Sequence, residues 1–484
     1  MPRKWNRTQV TLAKLRSSVA QFKRDERGTV TYFAIYMLMM MLLVGGIAVD
    51  LMENEMMRTR VQNTLDRAVL AAADLDQPLE PAAVVQDYFD KAGMSQYLTS
   101  VHVDEGLNYR TVTARADATT RTQFMRLMGV PELQVPAGGA AEERVSNVEI
   151  SMVLDISGSM GSDSKMDNLH DAAGVFIDTV LKPETQDLIS VSLIPYTAQV
   201  SAGEDIFNAM NITRWSGNPG WCIDFEETDF STTTIRMDGT YEHMQFFDEG
   251  WGYSNPVANP GCPGRDDGYY SSDPEQTKRE YEQIIGFSQN ATTLKNRINN
   301  YRARANTSIH IGMKWGVAML DPSFRPVTQA LGLQNKIDSA FGARPADYSD
   351  TETLKTVLLM TDGQNVNTTR IDDYYYSWHN ARVHWTKYPL HWYLNNYVGG
   401  SWNNWRYTKY TSGQADTMLS NICTAAKNKG IVVWSIGFEV TNYSAGVMQD
   451  CASSPAHFFR VEGVEITEAF EAIAKQINQL RLTQ

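Results

Sequence analysis

With 484 residues the chain has material for several domains and for a sizeable core. Hydrophobic residues make up 43% and charged residues 20%, a globular balance that excludes wholesale disorder. A formal net charge of −13 disfavours nucleic acid as the main partner. That charge is unevenly spread. Residues 1–27 form a basic segment, with Arg3, Lys4, Arg7, Lys14, Arg16, Lys23, Arg24 and Arg27 against Asp25 and Glu26.

Gly28 to Val49 reads GTVTYFAIYMLMMMLLVGGIAV, 22 residues without a charge. Such a run is long enough to cross a bilayer as a helix, and we take residues 28–51 as a transmembrane helix. Lys23, Arg24 and Arg27 precede it, and Asp50, Glu53 and Glu55 follow it. The positive-inside rule then places the N-terminus in the cytoplasm and the bulk of the chain outside. The length of the apolar run, with no small-x-small site after it, argues against a cleaved signal peptide.

Residues 52–145 read as a long helix plus a small α+β module. Val61, Leu65, Ala68, Val69 and Ala72 form one stripe, which is packing surface. Gln77-Pro78 and Glu80-Pro81 break the helix, and Val84–Ala92 is a second one. Leu98–Asp104 and Tyr109–Arg115 alternate as strands around a turn at Glu105–Asn108. Arg121–Met128 reads as a short helix. Pro131 and Ala137-Gly138-Gly139-Ala140 punctuate the approach to the next domain.

From Ser146 strands alternate with helices, the pattern of a doubly wound, mostly parallel α/β sheet, and residues 146–484 form that domain. Strands are expected at Glu149–Leu154, Leu188–Ile194, Lys355–Met360, Ile431–Phe438 and His457–Val461. Helices are expected at Asp167–Leu181, Ile309–Leu320, Ala415–Asn428 and Ile466–Leu480. Two stretches break the alternation and read as insertions, at about 201–300 and 366–413. The second is dense in aromatics, including Trp378, Trp385, Trp392, Trp402 and Trp405, the residue types that dominate binding hot spots. They serve equally well as the insertion's own core.

There are four cysteines, Cys222, Cys262, Cys423 and Cys451, with no C-x-x-C pair. An even count outside the cytoplasm suits two disulfides. Local pairing, Cys222 with Cys262 and Cys423 with Cys451, is the simplest of three connectivities.

Asp155-Ile156-Ser157-Gly158-Ser159 sits on a strand-to-helix turn, where open α/β sheets gather ligands. Asn306-Thr307-Ser308 precedes a helix, and Thr361-Asp362-Gly363 follows an apolar strand. Asp155, Ser157, Ser159, Thr307 and Asp362 are thus expected on three loops of one sheet edge. Two carboxylates, neutral hydroxyls and retained waters suit a hexacoordinate Mg²⁺, with Mn²⁺ or Ca²⁺ as alternatives. So few anionic ligands leave a position for an acidic side chain from a protein partner.

These three segments resemble a von Willebrand factor A domain with a metal-ion-dependent adhesion site, whose motif is Asp-x-Ser-x-Ser. The resemblance implies direct metal ligation by Ser157, Ser159 and Thr307, and ligation largely through water by Asp155 and Asp362. Arg24-Asp25-Glu26-Arg27-Gly28, the apolar span and Ala48-Val49-Asp50 resemble TadG-like proteins of the Tad (Flp) pilus assembly system. So do Met313-Lys314-Trp315-Gly316 and Cys451-Ala452-Ser453-Ser454-Pro455. The resemblance spans most of the chain except the aromatic insertion. It implies a single-pass anchor in a bacterial inner membrane and a periplasmic or extracellular A domain. Related pseudopilins are cut after a glycine and carry glutamate at the fifth position beyond it. Phe33 stands there after Gly28, so the anchor is expected to stay uncleaved.

The expected role is docking of another Tad pilus component or surface partner, with adhesion at a pilus tip or cell surface as the alternative. Neither a small-molecule substrate nor an enzymatic activity is expected. A hydrolase built on His379, His384 and His391 lacks the i, i+4 zinc-ligand spacing with an intervening Glu, and neither a phosphate loop nor a Gly-x-Ser-x-Gly elbow occurs.

Overall fold

The computed structural model describes residues 27–74, 77–105, 109–144, 147–183, 186–250, 252, 259–264, 280–350, 352–399 and 401–483. The basic segment expected at 1–27, apart from Arg27, and most of the turn at Glu105–Asn108 lie outside the described residues. The chain divides into two compact units, Met1–Arg144 and Val145–Gln484.

The first unit opens with helix α1 (Arg27–Ala73), 47 residues without a break. It is long and apolar enough to cross a membrane, with mean hydropathy 2.2 over its most apolar 18 residues. Only 6% of its most apolar window is buried, which sets it apart from a core helix. Its second half behaves differently. Val61, Leu65, Ala68, Val69 and Ala72 are all buried, spaced so that they share one face. They pack on an antiparallel sheet of β1 (Leu98–Glu105), β2 (Tyr109–Arg121) and β3 (Glu132–Arg144), in that order. Helix α2 (Pro81–Lys91) starts with proline at its first turn, where no N–H partner is needed. The Glu80 carboxylate accepts from the Ala83 amide at 2.9 Å and caps it. Val84, Val85 and Phe89 carry α2 into the same core.

Two expectations are corrected here. Arg121–Met128 is not a helix: β2 pairs through Arg121 with Glu132, and only a tight 3₁₀ turn remains at Met125–Met128. Gly129, at φ +88°, ends that turn. Ala137–Ala140 is not punctuation but the middle of β3, opposite Thr113–Ala116. A Cβ at Gly139 would lie 2.5 Å from the Leu65 side chain, so the glycine lets α1 lie close on the strand.

The second unit is built on a six-stranded sheet. In chain order its strands are β4 (Asn147–Asp155), β5 (Ile189–Tyr196), β6 (Ile285–Ser288), β7 (Thr353–Thr361), β10 (Val432–Phe438) and β11 (Phe458–Val461), with a separate antiparallel pair of β8 (Thr368–Ile371) and β9 (Arg406–Tyr410). Their spatial order is β11-β10-β7-β4-β5-β6, parallel throughout except for antiparallel β6 at the edge. β4, β5 and β7 are buried almost end to end, as continuous apolar runs in a doubly covered sheet should be. One helical group comprises α3 (Lys165–Val180), α4 (Ala291–Asn299) and α10 (Glu465–Thr483). The other includes α5 (Ile309–Ala318), α8 (Ser412–Asn428) and α9 (Asn442–Cys451), with α6 (Arg325–Leu333) and α7 (His379–Lys387) between them in the chain.

β4 is flanked on one side by its successor β5 and on the other by β7. Strand order therefore reverses between β4 and β7, and a crevice opens beyond their carboxyl ends. Asp155 is the last residue of β4, and Asp362 is the first after β7.

β6 was not expected. Four of the residues assigned to the first insertion pair with β5, and α4 after them packs on α3, so the departure from the sheet ends before Ile285. Of the remainder, Ile206, Phe207, Ile223 and Phe230 pack into the main core of the domain, and another part joins the second insertion in one cap. Cys222, Met244, Phe246, Phe247 and Cys262 share a core with Ile371, Tyr376, Trp385, Leu390 and Leu394. Backbone amides stitch the halves together: Leu390 N–H donates to Asp248 O at 2.6 Å and Trp392 N–H to Gly250 O at 3.0 Å. The Gln245 side chain closes a ring with the Ile371 backbone, both bonds at 2.7 Å. Disulfides join Cys222 to Cys262 inside the cap and Cys423 to Cys451 between α8 and α9.

Candidate metal centre

The β4–α3 turn brings its oxygens inward by local bonding. Asp155 is fully buried, and its Oδ1 accepts the Ser157 amide at 2.8 Å. Its Oδ2 accepts the Thr361 hydroxyl at 2.6 Å and lies 3.2 Å from the Tyr196 phenol. β4, β5 and β7 are thus tied at one carboxylate. Gly158 donates its amide to Ala305 O at 3.0 Å, and a Cβ there would press on the same oxygen. Arg304 N–H returns a bond to Ile156 O at 3.0 Å. This pairing holds the 304–307 loop against the turn.

The five expected residues come together. Thr307 Oγ1 lies 2.8 Å from Ser157 Oγ, which lies 3.1 Å from Ser159 Oγ. Ser159 donates in turn to Asp362 Oδ1 at 2.6 Å. Ser157, Thr307 and Asp362 are buried, whereas Ser159 is exposed and opens the cluster to solvent. Asn365 supports the Thr307 loop from β7's side. Its Oδ1 accepts the Ile309 amide at 2.7 Å, capping α5, and its Nδ2 donates to Asp416 at 2.8 Å.

Residues outside the expected set complete the surroundings. Lys165 Nζ donates to Asp362 Oδ2 at 3.0 Å and lies 3.5 Å from Glu439 Oε2. Glu439 follows β10 at φ +54°, a conformation uncommon outside glycine. Burial and then the charge of Asp362 raise the Asp155 carboxyl to about 6. Burial alone would lower Lys165, but Asp362 and Glu439 outweigh it and hold the ammonium above its ordinary value. Burial also drives the Tyr196 phenol well up, keeping it a neutral donor. Thr361 was legible in Thr-Asp-Gly as a neighbour of Asp362. Nothing local in the sequence marked Glu439 or Tyr196.

Chemically the cluster is two carboxylates and three hydroxyls, a hard oxygen set that fits a Mg²⁺-like ion better than a soft one. A cation beside these carboxylates would offset the repulsion from Asp362 that helps to raise the Asp155 carboxyl. Among the described residues there is no group of three or more His, Cys, Asp or Glu placed to hold a metal. The three insertion histidines are dispersed. His379 meets Ser216 Oγ at 3.1 Å, His391 meets Glu249 O at 2.6 Å, and His384 stacks edge-on to Trp385 and Tyr393.

The tryptophans also separate. Trp385 is buried at 2% exposure and donates its Nε1–H to Tyr375 O at 2.8 Å, so it is cap core rather than binding surface. Trp392, Trp402 and Trp405 are half-buried, with Trp405 stacked on Tyr375 at 3.8 Å. Trp378 is exposed, beside the more exposed Tyr374.

The strand order, the antiparallel edge strand and the Asp-x-Ser-x-Ser turn at the switch point define a von Willebrand factor A-type domain. Ahead of it, residues 28–75 match the family model Tad, described as "Putative Flp pilus-assembly TadE/G-like". No curated protein matches the chain. Among solved structures the chain is similar to the vWF domain of the type V pili tip protein Mfa5 from Porphyromonas gingivalis. Identity is 13% over 69% of this chain and 96% of that one, with a TM-score of 0.34. It is similar to the adhesive tip pilin GBS104 from Group B Streptococcus agalactiae at 11% identity, over 68% of this chain and all of that one, TM-score 0.33. It is also similar to proximal thread matrix protein 1 from the mussel byssus, solved with a zinc-occupied MIDAS motif. There identity is 10% over 68% of this chain and 46% of that one, TM-score 0.28. The chain thus spans less than half the length of the mussel protein.

Proposed function

We propose that this protein is a membrane-anchored component of Tad pilus assembly that docks a protein partner through a divalent cation. The cation is held by Ser157, Ser159 and Thr307 directly and by Asp155 and Asp362 largely through water. It is Mg²⁺ first, Mn²⁺ or Ca²⁺ second. The observation that carries this reading is the meeting of five hard donors from three loops at the β4–β7 switch point. With only two carboxylates on it, a divalent ion keeps net positive charge and accepts an acidic side chain from the partner. The family match over residues 28–75 supports the pilus setting. The apolar helix, with basic residues before it and acidic ones after it, supports an inner-membrane anchor with the A domain outside the cytoplasm. The role is binding, not catalysis.

A second reading, adhesion at a pilus tip or cell surface, is favoured by exposed Trp378 and Tyr374 on the cap. Both readings use the same ion. The test is capture of partners from envelope extracts by the full chain, with and without chelator, for wild type and Asp155→Ala. Capture should need both the divalent ion and Asp155. Undiminished capture by Asp155→Ala in chelator would refute metal docking.

A further inference from the structure

The turn between β2 and β3 does not project freely. It climbs down α1 in steps of one helical turn. Thr120 Oγ1 donates to Asn54 Oδ1 at 2.7 Å. One turn lower, Asp50 accepts three backbone amides: Gln123 at 2.9 Å on Oδ1, and Phe124 at 2.8 Å and Met125 at 2.7 Å on Oδ2. One turn lower again, the Phe124 ring lies on Gly46, where a Cβ would sit 2.2 Å from ring carbons. Asn54, Asp50 and Gly46 are spaced i, i+4, so the turn follows one face of the helix into the apolar run.

That places the turn at a definite depth. Gly46 is eighteen residues beyond Gly28, about 27 Å along a helix. A hydrocarbon core is about 30 Å thick. Gly46 therefore lies near the outer boundary of the core when the run from Gly28 spans it. Beyond Phe124 the turn exposes apolar side chains: Leu127 is 80% exposed, Met128 59% and Val130 36%. Arg126 among them is exposed and suits lipid phosphate. Asp50, which would be costly near lipid, spends its charge on the three amides.

We infer that the Met125–Val130 turn is a second membrane contact, seated in the outer-leaflet interface of the bilayer that α1 spans. It rests on the anchor reading above and goes beyond it: two contacts fix the first unit's orientation on the membrane, where one helix would let it swivel. Leu127, Met128 and Val130 enter the headgroup–acyl boundary, as the apolar face of an interfacial segment does.

The native cysteines of the described fold are all paired, so an introduced cysteine offers a unique spin-label site. The full chain is placed in phosphatidylethanolamine–phosphatidylglycerol vesicles with one label at Leu127→Cys, at Leu38→Cys in mid-span, or at Ser100→Cys on exposed β1. Collision with oxygen is compared with collision with a water-soluble nickel chelate. The inference requires Leu38→Cys in lipid, Ser100→Cys in water and Leu127→Cys between them, with reduced chelate access. A label at 127 as open to chelate as that at 100, with 38 still in lipid, overturns the inference and leaves the anchor standing. A label at 38 open to chelate overturns both.

Discussion

Lys165 sits where the proposed ion would exert its charge, with Asp362 on one side and Glu439 on the other. It neutralises part of the anionic set, so it competes with the ion for Asp362 while keeping the two carboxylates tolerable to each other. Removing one unit charge at this range is worth about 1–4 kcal/mol between water and an effective dielectric of about 20. Lys165→Met is therefore expected to tighten Mn²⁺ by roughly tenfold, at the low end of that range, read by calorimetric titration. His243 yields a separate residue-scale prediction. Its Nδ1 accepts the Trp215 amide at 3.0 Å and its other nitrogen meets Gly220 O at 2.8 Å, an arrangement for neutral imidazole. Burial depresses its pKa to about 4. Because the folded value lies below the unfolded one, the stabilisation is full above about pH 6.5 and is lost as pH falls toward 4. That loss is of order 3 kcal/mol. Denaturant titrations of wild type and His243→Asn across this window should show the difference between them shrinking as pH falls.

At the scale of elements, the cap separates tryptophans that look alike in sequence. Trp385→Ala opens a hole in the cap core and is expected to cost about 3–5 kcal/mol. Trp378→Ala should change stability by no more than about 0.5 kcal/mol while weakening partner capture. Denaturant melts and the capture assay read the two effects independently. Deleting the Cys222–Cys262 link, whose ends are 40 positions apart, should cost about 3–4 kcal/mol by loop entropy, again read by denaturant melt. The Asp155 turn was legible because its chemistry is compressed into five consecutive residues, and β7 because a strand buried on both faces is an unbroken apolar run. The stripe from Val61 to Ala72 was legible from helical period alone. β6 was not, since four residues, Ile285–Ser288, give too short a pattern inside a polar stretch. The 121–128 segment was misread because its amides are satisfied by Asp50, more than seventy residues away, and not by a helix of its own. The merging of the two insertions likewise depends on pairs such as Gln245 with Ile371 that no local pattern reveals. Lys165 and Glu439 acquire meaning only once β10 is known to lie beside β7.

At the scale of the whole molecule, the chain joins an apolar helix with a TadE/G-like match to an A-type domain carrying a disulfide-stapled cap. The proposed centre lies in the second unit, at the carboxyl ends of β4 and β7, and Ser159 opens it to solvent. Docking through an ion makes partner binding conditional on both a divalent cation and an accessible carboxylate on the partner. Partner capture should therefore fall with chelator and recover on adding Mg²⁺ or Mn²⁺, without any change in the cap. The most direct measurement is a calorimetric titration of the detergent-solubilised full chain with Mn²⁺, wild type beside Asp155→Ala, with circular dichroism to show that both are folded. The account predicts one site per chain in wild type and binding at least about 100-fold weaker in the variant, since the ligand shell loses one of its two carboxylates and the bond that Asp155 makes to the Ser157 amide. Equal affinity in two equally folded proteins would contradict it.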